Sequence, residues 1–305
     1  MKVIKGLESD PHPFTPTALA IGIFDGVHLG HQKIIKYLRK TAEKNNLISV
    51  ILTFDPHPCN VLGKSKIRML QTLEQRIQEI QKFDIDTVWI IPFTPEFAEL
   101  SRYDFIRQII VEKSKAREII VGKNFYFGKN REGDIDYLYK SSRENQFNVH
   151  SIPPIKKEGK IISSSRIRQD LGQGDLNHAN QFLGRPYEIT GKVIKGRSRG
   201  KELGFPTANI LPENEIVPQG VYITTTFLDH TQYPSVTNVG VKPTFNDSDI
   251  HVESHLINFK GNIYSKKIDI RFIQKLRDEK KFKSTKELSL QIENDIKTAK
   301  SFFSI

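Results

Sequence analysis

Between residues 18 and 39 an apolar run, Ala18 to Ile23, passes through Gly22-Ile23-Phe24-Asp25-Gly26-Val27-His28-Leu29-Gly30-His31 into Gln32 to Arg39, where apolar residues recur at helical spacing. The run reads as a buried strand and the segment beyond it as a helix, so a strand hands over to a helix across a glycine-rich turn. Such a junction is where an α/β protein holds anions. The first N–H groups of a helix have no internal partner, and the helix dipole adds partial positive charge there. Gly26 and Gly30 carry no Cβ and let the backbone approach an anion closely. His28 and His31 are three apart, so where helix geometry already holds they lie on one side and can flank one phosphate. An imidazolium can donate to oxygens whose charge grows during phosphoryl or nucleotidyl transfer. Two readings compete: a pair of partly exposed turn histidines, and zinc. The HExxH spacing is absent and a single cysteine removes the usual thiolate sets. The preceding strand, Asp25 and the glycines favour a nucleotide site.

GIFDGVHLGH is similar to the HxGH signature of the nucleotidylyltransferase superfamily, and the form FDGVHLGH resembles the bacterial riboflavin kinase/FAD synthetases. The resemblance implies that Gly22, Phe24, Asp25 and Gly30 bind ATP and that His28 and His31 are catalytic.

A chain of 305 residues accommodates two domains of ordinary size, each with its own core. Its 37% hydrophobic and 27% charged content is that of a globular protein in water. No apolar stretch approaches a membrane span, the N-terminus lacks a signal peptide's long apolar segment, and the one cysteine, Cys59, forms no internal disulfide. These features place the expected protein in a reducing cytoplasm, with Cys59 a small packing residue. A net charge of +11, spread over both halves, points to anionic partners without choosing between small phosphates and RNA.

Apolar runs recur at Ala18 to Ile23, Ile48 to Phe54, Val88 to Ile91, Ile119 to Val121 and Val149 to Ile152, with helical patterns near Gln32 to Lys44, Leu73 to Phe83, Tyr103 to Val111 and Asp134 to Asn145. The alternation predicts an α/β domain with a doubly wound, mostly parallel sheet, Rossmann-like, whose loops after Ile23, Phe54, Ile91 and Val121 share one mouth. Asp55-Pro56-His57-Pro58 reads as a stiff turn holding Asp55 and His57. Gly122 to Lys129 sets three aromatics between glycines and lysines, either to stack on a flat ring system or as a strand extension with a buried aromatic. Ile161-Ile162-Ser163-Ser164-Ser165-Arg166-Ile167-Arg168 reads as a hydroxyl-rich helix start, a plain N-cap or a second anion cradle. By resemblance, His57 binds ATP, Asn124 and Phe127 of a GxNFxFG segment bind flavin, and Ser163, Ser164, Ser165 and Arg168 match the ISSTxxR motif that holds ATP phosphates. Ser165 stands where the motif has threonine, so the hydroxyl survives and the packing methyl does not.

Gly184-Arg185-Pro186 ends the alternation, and the boundary is set near residue 185, giving domains 1–184 and 185–305. Beyond it come short strands, Tyr187 to Ile194, Thr207 to Ile210, Val221 to Phe227, Tyr233 to Val239, His251 to Leu256 and Ile268 to Ile273, which predict a closed antiparallel β-barrel. A terminal helix with a capping box at Ser284 to Glu287 carries the stripe Leu288, Ile292, Ile296, Ala299, Phe303. Gly196-Arg197-Ser198-Arg199-Gly200-Lys201-Glu202-Leu203-Gly204-Phe205-Pro206-Thr207-Ala208-Asn209 is not a Walker loop, because its glycines are too close and Glu202 stands where Ser or Thr is required. It reads as a basic turn, or as a loop that wraps phosphates through its backbone. Thr207 and Asn209 point to one face and are hard donors suited to Mg²⁺.

This stretch resembles the riboflavin kinase signature GRxLGFPTAN, with Lys201 a slight departure, and Gly220-Val221-Tyr222, Asn238 to Phe245 and His251 to Leu256 concur. The resemblance implies that Gly196, Gly200, Lys201, Gly204 and Pro206 bind ATP phosphates, that Thr207 and Asn209 hold Mg²⁺, and that Glu253 is the base for the ribityl hydroxyl. Otherwise His251, Glu253 and His255 make an outward polar face. The expected activity is phosphorylation of riboflavin to FMN by the C-terminal domain and adenylylation of FMN to FAD by the N-terminal one, both from ATP. Expected partners are flavins and ATP, with no nucleic acid and no membrane, in a monomer or transient homo-oligomer. The alternatives are an adenylyltransferase for another acceptor and an RNA-binding protein that grips single strands through exposed aromatics.

Overall fold

A computed structural model describes residues 1–8, 15–63, 66–196, 204–243 and 248–305. Packing divides the chain into two units, one of residues 1–68 and 72–163, the other of 69–71 and 164–305. The first unit runs β1 (Lys2–Lys5), β2 (Thr17–Ile21), α1 (Leu29–Asn45), β3 (Ile48–Asp55), α2 (Pro58–Val61), α3 (Leu73–Gln81), β4 (Thr87–Pro92), α4 (Pro95–Ala98), α5 (Arg102–Asp104), a π-helix (Phe105–Lys113), β5 (Ala116–Gly122), α6 (Ile135–Asn145) and β6 (Asn148–Ile152). A two-residue hairpin, β7 (Lys156–Lys157) with β8 (Lys160–Ile161), follows.

Six strands form one sheet in the order β1-β4-β3-β2-β5-β6, every pairing parallel. A parallel sheet is covered on both faces, which is why its strands read as unbroken apolar runs. On β2, Leu19 and Ile21 join a core with Phe105, Ile109 and Phe127, while Ala18 and Ala20 join a second core with Ile35, Leu38 and Ala42 of α1. From β2 the chain goes to β3 on one side and later returns to β5 on the other, so the carboxyl end of β2 is the topological switch point.

Strand β1 and the segment from Arg102 to Lys113 differ from the sequence expectation. Strand β1 was not anticipated: only Ile4 of its four residues is buried, and lysines flank this edge strand, so it carries almost no apolar signal. The helix expected over Tyr103 to Val111 is one α-turn followed by a π-helix, in which the pairs Phe105/Ile106 and Ile109/Ile110 are buried. The wider π turn stacks those pairs on the core side.

The second unit runs α7 (Ser164–Gly172), α8 (Leu176–Leu183), β9 (Tyr187–Ile194), β10 (Ala208–Pro212), β11 (Gly220–Leu228), β12 (Thr231–Pro243), β13 (Ser248–Leu256), β14 (Lys267–Arg277) and α9 (Thr285–Phe303). Strands β9 to β14 close a barrel in the order β10-β13-β12-β11-β14-β9, all antiparallel. Thr224, Thr226, Ser235, Thr237 and Ser254, all fully buried, bond to one another through their hydroxyls, with Thr224 Oγ1 2.8 Å from Ser235 Oγ and 2.7 Å from Thr237 Oγ1. Mutual bonding removes the penalty of burying them. Ile296 and Ala299 of α9 pack against Val221, Ile223, Val236 and Ile257, with Ile292 and Phe303 beside them. The cap of α9 is half the expected box: Glu287 N donates to Ser284 Oγ, but the Glu287 carboxylate accepts from Lys283 N, one residue before Ser284. Helices α7 and α8 precede the boundary read near residue 185 but group by packing with the barrel, where Asn180 Nδ2 donates to Phe272 O and Asn180 Oδ1 accepts from Tyr187 N. Leu70, fully buried, belongs to the same unit and accepts from Tyr187 Oη at 2.9 Å.

Candidate functional site

At the switch point, α1 begins at Leu29 with His28 as its N-cap. His31 N donates to His28 Nδ1 at 3.3 Å, and the imidazole rings stack with centroids 3.6 Å apart and planes at 17°. Phe24, buried, meets His31 edge-on at 5.3 Å. The expectation that the two histidines share one side is therefore met through a cap followed by a helical turn. Gly30 is required by close approach, since a Cβ there would lie 3.0 Å from His28 Cε1 and 3.1 Å from Nδ1. Asp25 is 1% exposed and His28 5%, so the turn is built into the protein, not laid on its surface.

The pKa of His31 lies well below its ordinary 6.5, first because burial disfavours the imidazolium, then because His28 and Arg76 repel its charge. Burial thus favours a neutral ring at His31 over the imidazolium expected there.

Arg76, on α3, was not singled out by the sequence reading. It is 1% exposed, and its Nη1 donates to Ile23 O at 2.8 Å and Phe54 O at 3.4 Å, its Nη2 to Asp55 Oδ1 at 3.4 Å. Burial lowers its pKa, opposed by Asp55 and Asp25, and a guanidinium remains charged under those influences. One sequence signal could have found it: Arg76 stands on the stripe Leu73, Ile77, Ile80 that α3 turns to the core.

The bond between Asp55 and Pro56 is cis, and His57 caps α2, its Nδ1 accepting from Cys59 N at 3.1 Å. After β5, Asn124 and Tyr126 are exposed, whereas Phe127 is 6% exposed and joins the core, 5.4 Å from the Phe125 ring and 5.3 Å from Phe105. Of the serine cradle, Ser163 is the last residue of the first unit, and Ser164, Ser165 and Arg168 open the second at the start of α7. Ser163, Ser164 and Arg168 are half-buried and Ser165 is exposed. Arg166 Nε donates to the buried Asp170 at 2.9 Å.

In the barrel, Asn209 of β10 pairs with Glu253 of β13, and Glu253 pairs with Asn238 of β12. Residues directly opposite in antiparallel strands share a face with their Cβ atoms roughly 5 Å apart. Asn209, Glu253 and Asn238 thus form one half-buried row on the outside of the barrel, since their neighbours Val252 and Ser254 are buried in its wall. Asn238 entered the sequence reading only as part of a concurring segment. A Cβ on Gly196 would collide with the Asn209 carboxamide, so the start of the basic loop lies against that side chain. Thr207, half-buried, directly precedes β10. Pro206 O accepts from His255 Nδ1 at 2.9 Å, which fixes the ring proton on Nδ1, and burial holds the His255 pKa below the ordinary value. Gly204 is described and exposed; Gly200 and Lys201 lie outside the described residues. The row offers a carboxylate beside amide oxygens, and Thr207 before β10 adds a hydroxyl, hard donors of the kind a phosphate-bound Mg²⁺ takes.

No helix among the described residues is long and apolar enough to cross a membrane. A family model described as FAD synthetase matches residues 10–166, and one described as riboflavin kinase matches residues 183–303. A bifunctional riboflavin kinase/FMN adenylyltransferase of Buchnera aphidicola subsp. Schizaphis graminum is 37% identical over 100% of both chains. A protein of the same description from Haemophilus influenzae is 37% identical over 99% of each. A solved chain from Streptococcus pneumoniae, titled a macrolide-efflux protein, matches at a TM-score of 0.90 and 25% identity over 98% of this chain and 99% of its own. With both halves matched in order and curated relatives aligned end to end, the chain belongs to the bifunctional riboflavin kinase/FMN adenylyltransferase family.

Proposed function

We propose that two separate sites act in sequence on one flavin. A domain of residues 185–305 phosphorylates riboflavin to FMN, and a domain of residues 1–184 adenylylates FMN to FAD with release of pyrophosphate. In the first reaction Glu253 accepts the proton of the ribityl hydroxyl as that oxygen attacks the γ-phosphate of ATP. Gly196, Gly200, Lys201, Gly204 and Pro206 form the loop for the ATP phosphates, and Thr207 and Asn209 are the residues that would hold Mg²⁺. That ion, when bound, neutralises phosphate charge and orients the transferring group. Most of the acceleration in such a transfer comes from positioning and charge neutralisation, which a fixed row of side chains on paired strands supplies.

In the second reaction the FMN phosphate attacks the α-phosphate of another ATP. Negative charge on the oxygens of that phosphate is met by the α1 N-terminus, with the His28 and His31 rings as donors, and Gly22, Phe24, Asp25, Gly30 and His57 shape the nucleotide pocket. Ser163, Ser164, Ser165 and Arg168 are assigned to ATP phosphates as well. Asn124 contacts the flavin, and Phe127 holds that loop to the core from beneath. The activity is placed in the cytoplasm, without nucleic-acid or membrane partners, in a monomer or transient homo-oligomer.

The observation that carries the reading is the Asn209–Glu253–Asn238 row beside Gly196, in a chain whose other half builds a histidine-capped helix start at a switch point. Incubation with riboflavin, ATP and Mg²⁺ followed by chromatography tests it: FMN appears first and FAD after it. Riboflavin left unchanged refutes the reading.

A further inference from the structure

The turn that carries His28 and His31 is conformationally costly. Phe24 has φ +55° and Val27 φ +39°, left-handed values that a bulky or β-branched residue rarely adopts. Such residues persist only where their surroundings over-determine them. The turn leaves β2 at Gly22, whose N donates to Leu52 O at 3.1 Å, and Ile23 O then receives two donors, Thr53 Oγ1 at 2.9 Å and Arg76 Nη1 at 2.8 Å. The same guanidinium reaches Phe54 O and the Asp55 carboxylate at the end of β3. A single side chain therefore spans the carboxyl ends of two adjacent strands, where the ligand site of such a sheet lies. Lysine has one nitrogen and could not hold three acceptors in that fork. At 1% exposure Arg76 is shielded from ligands and acts through the turn.

We propose that Arg76 is a positioning residue for adenylyl transfer: its guanidinium ties the loop after β2 to the loop after β3 and holds the His28–His31 turn in the geometry that meets the α-phosphate. This deepens the function proposed for the N-terminal domain and rests on it.

The test uses the full chain with Arg76→Lys and Arg76→Met, measuring FMN adenylylation and riboflavin phosphorylation on each preparation. In both variants kcat for adenylylation falls by about 10²-fold with KM for ATP and FMN little changed, as expected when a reacting group is displaced by about 1 Å. Riboflavin phosphorylation stays at the wild-type rate. The pH profile separates positioning from loose packing. The charged and titratable groups around His31 and Arg76 are His28, Asp25, Asp55 and Glu74. Loss of the Arg76 charge removes one influence that holds His31 below its ordinary pKa, so the acid limb moves to higher pH in Arg76→Met and stays in place in Arg76→Lys.

Adenylylation within about twofold of wild type in both variants overturns the inference, as does an equal loss in both activities. Should Arg76→Met fail to fold, as read by its thermal transition, Arg76→Lys decides alone: a kcat loss confined to adenylylation supports the inference and an unchanged kcat overturns it. A wild-type chain that forms FMN but no FAD refutes the proposed function of that domain and the inference with it.

Discussion

At the end of β2, Asp25 and His28 are buried and a buried Arg76 clamps the main chain from beneath, whereas on the barrel Asn209, Glu253 and Asn238 are all half-buried on an outer face, with Thr207 half-buried beside β10. The first site consists of backbone held in an unusual path, with donors that exist only while that path is kept. The second consists of side chains set by strand register, which the hydrogen-bond ladder fixes whatever the residue type. The N-terminal site should therefore respond to packing and to backbone changes, and the barrel site to the chemistry of single side chains.

The largest expected effect tests the barrel side. Glu253→Gln keeps the shape of the row and removes the carboxylate proposed as base, so riboflavin phosphorylation slows by about 10² to 10⁴ while FMN adenylylation is untouched. Equal damage to both steps would remove Glu253 from its assigned role. His31→Ala, in the other direction, lowers adenylylation by on the order of 10² and spares the kinase step. Unchanged FAD output from supplied FMN would count against it.

Gly30→Ala sharpens the contrast with a smaller change. Its Cβ would lie 3.0 Å from His28 Cε1, so the imidazole must shift. Crowding costs about 1–3 kcal/mol, and the gain in helix propensity of alanine over glycine returns about 1 kcal/mol. The thermal midpoint should thus drop by only a few degrees, about what 1 kcal/mol moves in a domain of this size, while adenylylation falls far more than kinase activity. Parallel losses in both activities would show damage to the whole chain.

The smallest effect is a pH dependence of stability. The unfolded chain protonates His31 near 6.5, whereas the folded chain does so only at lower pH, because burial disfavours the charge. Between those values the unfolded state binds the extra proton, so the stability tied to a neutral His31 is complete above 6.5 and is lost as pH falls through the lower folded value. Denaturant titrations of wild type and His31→Gln at pH 7.5 and 5.5 read this directly: the wild type loses more stability on acidification than the variant does. Equal losses would disconnect His31 from the effect.

The parallel character of the sheet, the barrel and the helix packed on it followed from runs and stripes in the sequence, because apolar periodicity is a local record of which face is covered. What escaped the reading depends on distant partners. Strand β1 exists because β4 offers it an edge, and Trp89 Nε1 donates to Gly6 O just beyond it. Helices α7 and α8 look like a continuation of the alternating half, yet Asn180 bonds to β9 and β14. The site residues with family motifs were visible as letters, but the neutral state of His31 was not, since it depends on burial and on Arg76, 45 positions away by number. Arg76 itself sits on an apolar stripe, where a charged residue signals a buried partner whose identity only the fold reveals. Phe127 shows how an open choice closes: the segment read either as a stacking surface or as a strand extension with a buried aromatic, and its ring packs in the core.

The proposed succession of two independent sites, one handing its flavin to the other, sets what the whole chain can make. Mixing the two single-site variants tests it most directly. With riboflavin, ATP and Mg²⁺, His31→Ala alone should accumulate FMN and Glu253→Gln alone should leave riboflavin largely unconverted, while the mixture makes FAD. A mixture that forms no FAD, although Glu253→Gln converts supplied FMN, would contradict it.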